Sequence, residues 1–584
     1  MLEDLVVGLA GSGGDGVVSA GESLLAAASS QGFYAVMTKS FGSQIRGGES
    51  SCRVRLSTRK IPNPGGVLDV AVALNWEDFR RFGAELPIGP DTVLIHEAKA
   101  GSPPSDFAPP GRMPREVIGV PLAELAKSSA GTDRAKTSVV LGALCSWFGV
   151  SQEALERGLQ KKFGQKGAGL FEANRKALAS GIAFAAEHPL AAPRSLARPA
   201  AATPKLLCDG NEMCASAAIF SGCDFFGGYP ITPSTEVMQI LSRELPKYGG
   251  VVLQAEDEIS GVGSAVGASF AGKKSMTATS GPGMSLKTEV LGLASIAELP
   301  LVLLNVQRGG PSTGLPTKPE QADLFQAAFS AHGDVLRPVL APTSVEDTFW
   351  LTVEAFNLAE RYQTPVVILS DQEIAQRKET VDPVDVSRLE VLERTRPTPE
   401  QLAQGYQRFA DTPSGVSPLS HPGMKGGNYL AAGIEHDAKG APTASGAVHA
   451  AMNRKRFRKL DPLQERADLF LREGPADAPL ALVSWGSSAG VAREAFGLAR
   501  ARGLPVKLLV PYLLYPVAEP VYRNFFAGVR RGLVLELSHQ GQLYRVLRMF
   551  VDVPGGVTSF ARSGAQPFRA DEVLARMQQL AEGL

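Results

Sequence analysis

The sequence predicts an α/β protein built from three α/β domains, and three observations carry the prediction. Short apolar runs alternate with helical patterns, the rhythm of mainly parallel sheets covered on both faces. Glycine- or hydroxyl-rich turns follow several of these runs directly, as at residues 11–16, 280–283 and 309–314. The 62 glycines and 41 prolines among 584 residues exceed the usual share without any short period, so they mark turns and tight backbone sites.

The elements follow in order. Residues 5–10 read as a buried strand entering the loop Gly11–Gly16, and residues 21–28 as the helix after it. Strands are expected at 67–74 and 92–96, helices at 136–147 and 152–163, and an alanine-rich helix through Glu187. Domain one thus spans 1–190, and the Ala/Pro stretch 191–204 reads as a semi-extended linker. Domain two, 205–385, carries helices at 212–222, 234–245, 258–271 and 286–297. Its strands are expected at 251–254, 274–279, 301–306 and 365–369. Residues 386–475 are Pro- and Gly-rich and read as an extended arm or interface segment. The last domain, 476–584, has strands at 480–484, 506–509 and 531–536, with helices at 488–501 and 543–551.

Composition excludes several classes. Fifty-nine basic residues balance fifty-nine acidic ones, so the chain is no general binder of nucleic-acid phosphates. The amino terminus lacks a basic, apolar leader, and no apolar run approaches a bilayer span; a soluble cytoplasmic protein is expected. Five cysteines without C-x-x-C spacing suit a reducing compartment, and no His/Cys cluster has metal-ligand spacing.

Candidate chemistry lies in the loops. Gly11–Gly16 is suited to a phosphate, but the acid that would hold a dinucleotide ribose about 20 residues on is missing. A tight structural turn and a coenzyme A phosphate site both stay open. Arg46, followed by two glycines, is free to project at an anion or to pair on the surface. Tyr229-Pro230-Ile231-Thr232-Pro233 holds the Thr232 hydroxyl in a stiff, non-helical position, with Ser234 or Thr235 able to cap the next helix. Glu256, Asp257 and Glu258 stand where a strand meets a helix, and by charge alone they are ordinary helix-start acids. The small face Gly261, Gly263, Ala265, Gly267 permits close approach of a subunit or cofactor. Thr232, Glu258, Ser280 and Arg308 each lie just past a candidate strand, and such loops gather at one sheet edge. The basic run 454–459 reads as a solvated helix face or, less simply, a phosphate patch.

Four of these segments together resemble the α subunit of 2-oxoacid:ferredoxin oxidoreductases: Tyr229–Pro233, Glu256–Glu258, Thr279–Gly283 and Asn305–Thr317. The amino-terminal third, with its glycine loop and Ile45-Arg46-Gly47-Gly48, resembles the family's γ subunit. A γ domain fused ahead of α is typical of the 2-oxoglutarate synthase type. The resemblance implies a γ-type domain, a pyrimidine-binding domain for thiamine diphosphate, and a transketolase carboxyl-terminal-like domain.

It also implies roles. Glu258 would hydrogen-bond the cofactor's aminopyrimidine, favouring the imino tautomer that removes the thiazolium proton. Tyr229, Pro230, Ile231, Ser280 and Gly281 would line the cofactor. Thr232 would approach the substrate's 2-oxo group and Arg308 its 1-carboxylate, with Arg46 meeting a distal carboxylate. His436 falls in a family loop and reads as structural. Mg2+ and a [4Fe–4S] cluster would belong to a β subunit, which this chain's five scattered cysteines accord with. Ferredoxin would take the electrons, coenzyme A the acyl group, and an (αβ)2 heterotetramer is implied. The reading is CoA-dependent oxidative decarboxylation of 2-oxoglutarate. The alternatives are pyruvate or a branched-chain or aryl 2-oxoacid, a non-catalytic scaffold, or a dinucleotide-binding protein.

Overall fold

The computed structural model describes residues 1–42, 48–108, 111–164, 167–582 and 584. It divides into two units: Met1–Cys208 with Arg377–Val384, and Asp209–Gln376 with Asp385–Leu584.

Among the described residues the first unit holds an eight-stranded sheet. Its spatial order is Glu116–Val120, Val93–Glu97, Val70–Ala73, Asp4–Gly11, Ser50–Ser57, Tyr34–Phe41, Lys378–Val381 and Leu206–Cys208. The first four are parallel, and the next four pair antiparallel. The hairpin strands 34–41 and 50–57 were not anticipated, because each is largely buried and shows little alternation. Residues Lys378–Val381, which fall within the expected second domain and were not read as a strand, form a strand of this sheet instead. Buried Thr380 donates to the Phe33 carbonyl at 2.8 Å and accepts the Ala35 amide at 2.7 Å. The 191–204 stretch lies along this unit, where Leu2 and Ser195 bond at 2.7 Å and Leu196 is buried.

The glycine loop is closed on itself. Gly16 sits at φ 84°, which a side chain would strain, and precedes the helix Val17–Ser30. The Asp15 carboxylate accepts the Ser12 amide at 2.9 Å and pairs with Lys136 at 2.7 Å, so the loop carries its own anion.

The second unit contains two sheets. The seven-stranded one runs Leu513–Tyr515, Val339–Leu340, Pro365–Asp371, Leu301–Gln307, Ser275–Thr279, Phe225–Gly228, Val251–Gln254. All its neighbours are parallel except the terminal Leu513–Tyr515. The central strands Leu301–Gln307 and Pro365–Asp371 are buried at every position, as near-continuous apolar runs require. The five-stranded sheet runs Phe470–Glu473, Val506–Pro511, Leu480–Ser484, Arg531–Glu536, Val557–Ala561.

Two sequence expectations need correction. The helix expected at 286–297 begins at Gly281, because Pro282 suits a first helical turn, where no amide is needed. The basic run lies on the helix Gly446–Arg458 and the residue after it, and four of its five cations have acidic partners. Lys455 and Lys459 bury their ammonium groups on Glu298, Arg456 pairs with Glu435 at 2.6 Å, and Arg458 pairs with Asp411. With Lys455 and Lys459 buried on one carboxylate, the run is not a row of free cations. Burial alone would raise the Glu298 carboxyl, but Lys459, Lys455 and Arg408 outweigh it and hold it far below its usual range. Among the described residues no helix is long and apolar enough to cross a membrane.

Candidate functional site

The site forms where the strands Phe225–Gly228, Val251–Gln254, Ser275–Thr279 and Leu301–Gln307 end together, since parallel strands deliver their following loops to one edge. Gly227 is required there. A Cβ on it would lie 2.3 Å from Ser264 Oγ and 2.5 Å from the Gly261 carbonyl, so the helix Glu258–Phe270 packs directly on the strand backbone.

The Tyr229–Pro233 loop is tied by two consecutive carbonyls. The Arg308 guanidinium donates to the Thr232 carbonyl, and Asn211 Nδ2 donates to the Pro233 carbonyl at 2.8 Å. Thr232 itself is exposed, as is Tyr229, while Pro230 and Ile231 are half-buried. Ser234 precedes the helix Thr235–Glu244 but does not cap it. Its hydroxyl donates back to the Ile231 carbonyl at 3.0 Å and stiffens the loop instead.

The three acids separate by environment. Asp257 caps the helix Glu258–Phe270, accepting the Ser260 amide at 2.8 Å. Glu256 is exposed, and Glu258 is 8% exposed. Glu258 fits because Gly283 faces it: a Cβ there would lie 2.8 Å from Glu258 Cγ, 3.0 Å from its Oε1 and 2.1 Å from Thr279 Oγ1. One turn further along the helix Gly281–Ile296, fully buried Lys287 donates to the Glu258 carbonyl at 3.0 Å and to Thr277 Oγ1 at 3.2 Å.

Beside them stands a polar cluster. Ser280 precedes the helix, and its buried hydroxyl neither caps it nor finds another partner. Among the described residues Asn305 Oδ1 and Arg308 Nε are likewise buried without partners, three polar atoms that a ligand or ordered water would satisfy. Asp323 accepts Asn305 Nδ2 at 3.0 Å and abuts Gly281, whose Cβ would come 3.0 Å from its Oδ2. Burial pushes the Asp323 carboxyl up to about 6, with Asn305 and Arg308 acting against the rise and Glu320 adding to it. Burial also draws the Arg308 guanidinium below its ordinary value, against the pull of Asp323.

The terminal sheet anchors this loop. Buried Gln321 donates to the Trp485 carbonyl at 2.7 Å and accepts Ser488 Oγ at 2.6 Å and the Leu537 amide at 2.8 Å. Glu320 accepts the Gly310 amide at 3.1 Å and the Gly564 amide at 3.0 Å.

Thr232, Ser280, Gly281, Glu258 and Arg308 therefore share one edge, with Tyr229, Pro230 and Ile231 on its loop. Arg46 lies outside the described residues. His436 is buried against Phe409, with Nδ1 on the Ile434 carbonyl at 2.9 Å. Sequence reasoning missed Asn211, Lys287, Asn305 and Asp323. For Lys287 a signal existed, a lone cation four residues after Gly283 on a helix of small and apolar residues. Among the described residues no His, Cys, Asp or Glu group is arranged to hold a metal. Burial raises the thiols of Cys52, Cys145, Cys214 and Cys223 to about 12.

Comparison with known proteins places this arrangement. The profile described as pyruvate flavodoxin/ferredoxin oxidoreductase, thiamine diphosphate-binding, matches residues 216–455. That described as pyruvate ferredoxin/flavodoxin oxidoreductase matches residues 6–184. The chain is 32% identical to the 2-oxoglutarate oxidoreductase subunit KorA of Mycobacterium tuberculosis, over 98% of this chain and 91% of the relative. The 2-oxoglutarate synthase subunit KorA of Archaeoglobus fulgidus is 38% identical, over 57% of this chain and 88% of its own. A solved 2-oxoglutarate:ferredoxin oxidoreductase from Magnetococcus marinus, with 2-oxoglutarate, coenzyme A and succinyl-CoA bound, matches at TM-score 0.93 and 36% identity, covering 100% of both chains.

Proposed function

This chain belongs to the 2-oxoacid:ferredoxin oxidoreductase family, and on that premise we propose that it is the α subunit, with a fused γ-type domain, of a 2-oxoglutarate:ferredoxin oxidoreductase. The reaction joins 2-oxoglutarate and coenzyme A into succinyl-CoA and CO2, passing two electrons to ferredoxin, or runs in reverse. The observation that carries the reading is Glu258, a buried carboxyl admitted by Gly283 at the edge where Thr232, Ser280 and Arg308 converge.

These residues fit the aminopyrimidine end of thiamine diphosphate: a buried acid, orphaned donors and acceptors, and a Gly283 cradle that a side chain would fill. When bound, that cofactor supplies a nucleophilic carbon and a sink for the electrons left by CO2. Glu258 would hydrogen-bond the aminopyrimidine. Tyr229, Pro230, Ile231, Ser280 and Gly281 wall it. Arg308, latched to Thr232, turns its remaining donors to the substrate's 1-carboxylate, and the Thr232 hydroxyl meets the 2-oxo oxygen. Arg46 is assigned the distal carboxylate.

A β subunit completes the site with the diphosphate and Mg2+ position and the [4Fe–4S] cluster, in an (αβ)2 assembly. In support, the helix Glu258–Phe270 leaves Ile259, Gly263 and Gly267 exposed in one stripe, with open space around both glycines, and Leu286 and Leu293 of the helix Gly281–Ile296 are exposed too. The test is CoA-dependent ferredoxin reduction by the co-purified αβ complex on a panel of 2-oxoacids. Turnover of pyruvate but not 2-oxoglutarate overturns the substrate. Near-normal turnover by Glu258→Ala overturns the cofactor assignment.

A further inference from the structure

We propose that Glu320 is a positioning residue for Arg308, and that through it the terminal domain sets the affinity for the substrate's 1-carboxylate. The inference rests on the reading of Arg308 given above.

The terminal sheet has a crevice of the kind in which α/β sheets take ligands, and the chain itself fills it. Strand Leu480–Ser484 lies between Val506–Pro511 and Arg531–Glu536, and all three are parallel. The connections therefore leave Leu480–Ser484 and Arg531–Glu536 in opposite directions, which opens a space beyond their carboxyl ends. Gln321 occupies it. Its side chain bonds the Trp485 carbonyl, Ser488 Oγ and the Leu537 amide, and its backbone N–H donates to the Leu537 carbonyl at 2.6 Å. Gln542 donates to the Ala322 carbonyl at 2.7 Å and accepts the Phe325 amide at 3.0 Å, and the Ala565 amide donates to the Pro319 carbonyl at 3.0 Å. The loop 319–325 is thus fastened to the terminal domain at both ends.

Glu320 carries that grip to the site. One carboxylate oxygen accepts the Gly564 amide at 3.0 Å and the other the Gly310 amide at 3.1 Å. Gly310 lies two residues past Arg308, and Gly309 between them donates to the Lys318 carbonyl at 3.1 Å. On the other side Gln307 ends the buried strand Leu301–Gln307, and its side chain accepts the Asp323 amide at 3.0 Å. The backbone that bears Arg308 is held before and after by this one stretch of chain. Gly564 permits the seat: a Cβ there would lie 2.2 Å from the Pro319 carbonyl oxygen and 2.6 Å from Glu320 Cβ.

Stability alone does not explain a carboxylate at this place. Glu320 is 8% exposed and stands near Asp323. Burial is the main reason the Asp323 carboxyl is raised, and Glu320 adds to the rise, so bringing the two acids together works against folding. What the position demands is two acceptor oxygens for two amides. A glutamine has one oxygen and a nitrogen that only donates, so it cannot hold Gly310 and Gly564 in the same way.

The test is ferredoxin reduction by the αβ holoenzyme, with the 2-oxoacid varied at saturating coenzyme A. Glu320→Gln sets a donor against one of the two amides, and Gly564→Ala presses on Pro319 and Glu320 from the terminal domain. Each should raise KM for the 2-oxoacid about fivefold or more, because a guanidinium clamp depends on its geometry. Loss of such binding should leave kcat within about twofold. Val573→Ala, a core position of the helix Ala570–Ala581 on the same sheet, should lower the melting temperature without moving KM. If Glu320 acts through Arg308, Glu320→Gln combined with Arg308→Lys should have the KM of Arg308→Lys alone. Effects that multiply, a KM unchanged in both Glu320→Gln and Gly564→Ala, or a Val573→Ala variant with the same rise overturn the inference and leave the Arg308 reading intact. Should Glu320→Gln fail to assemble, Gly564→Ala carries the test. An Arg308→Lys complex with the wild-type KM overturns the Arg308 reading and the inference with it.

Discussion

Replacing Gly283 by alanine tests the centre of the site with a single methyl group. Its Cβ would lie 2.1 Å from Thr279 Oγ1 and 2.8 Å from Glu258 Cγ. The second distance is about 0.7 Å short of an ordinary carbon contact of roughly 3.5 Å. Thr279 is fully buried and β-branched, so it yields only by changing rotamer. Glu258 stands at the first position of a capped helix, so its backbone is fixed and its carboxyl must swing away. Overpacking of this kind costs about 1–3 kcal/mol of stability. Misplacing a catalytic group by about 1 Å costs about 100-fold in rate, so the smaller displacement here should lower kcat by about 30-fold or more. The assay is CoA-dependent ferredoxin reduction by the αβ complex, read beside thermal unfolding of the same samples. Thr279→Ala combined with Gly283→Ala should restore most of the stability but not the turnover, because the Glu258 contact persists. Recovery of turnover by the double variant, or near-normal turnover by Gly283→Ala alone, would refute the cradle.

Asp323→Asn should raise the melting temperature at pH 7.5 and barely change it at pH 4. The wild-type carboxyl is raised by burial to about 6, so its stabilising contribution is present below its unfolded value and is lost as pH climbs through 6, worth about 2–3 kcal/mol. Equal effects at both pH values would exclude a charged Asp323. Arg308→Lys removes the fork that latches Thr232, and KM for the 2-oxoacid should rise about 10-fold or more; an unchanged KM would place the substrate carboxylate elsewhere. Glu298→Gln leaves Lys455, Lys459 and Arg408 buried without their counter-charge and should cost about 3–5 kcal/mol by denaturant unfolding, a loss that Lys459→Met should partly restore.

The elements most legible in the sequence were those whose burial is total. The runs at 301–306 and 365–369 announce central parallel strands because every position faces protein. The convergence of Thr232, Glu258, Ser280 and Arg308 was legible for a related reason, since each follows such a run and parallel order brings their loops together. What could not be read were pairings between distant segments. Nothing in the residues 378–381 marks them as partners of Tyr34–Phe41, because register lies in the partner strand and not in the run itself. Asp323 was equally silent, a loop acid until the fold sets it beside Asn305 and Arg308.

The sequence by itself determined the α/β class, the loops that gather at the candidate site and the residue types within them, because periodicity, glycine and proline act locally. Only the tertiary structure decided which of three adjacent acids is buried, which lysine lies beneath it, and that the glycine loop at 11–16 already holds its own carboxylate. Burial and charge neighbourhood are properties of packing between segments far apart in the chain. They set desolvation and proton affinity, and no local pattern encodes them.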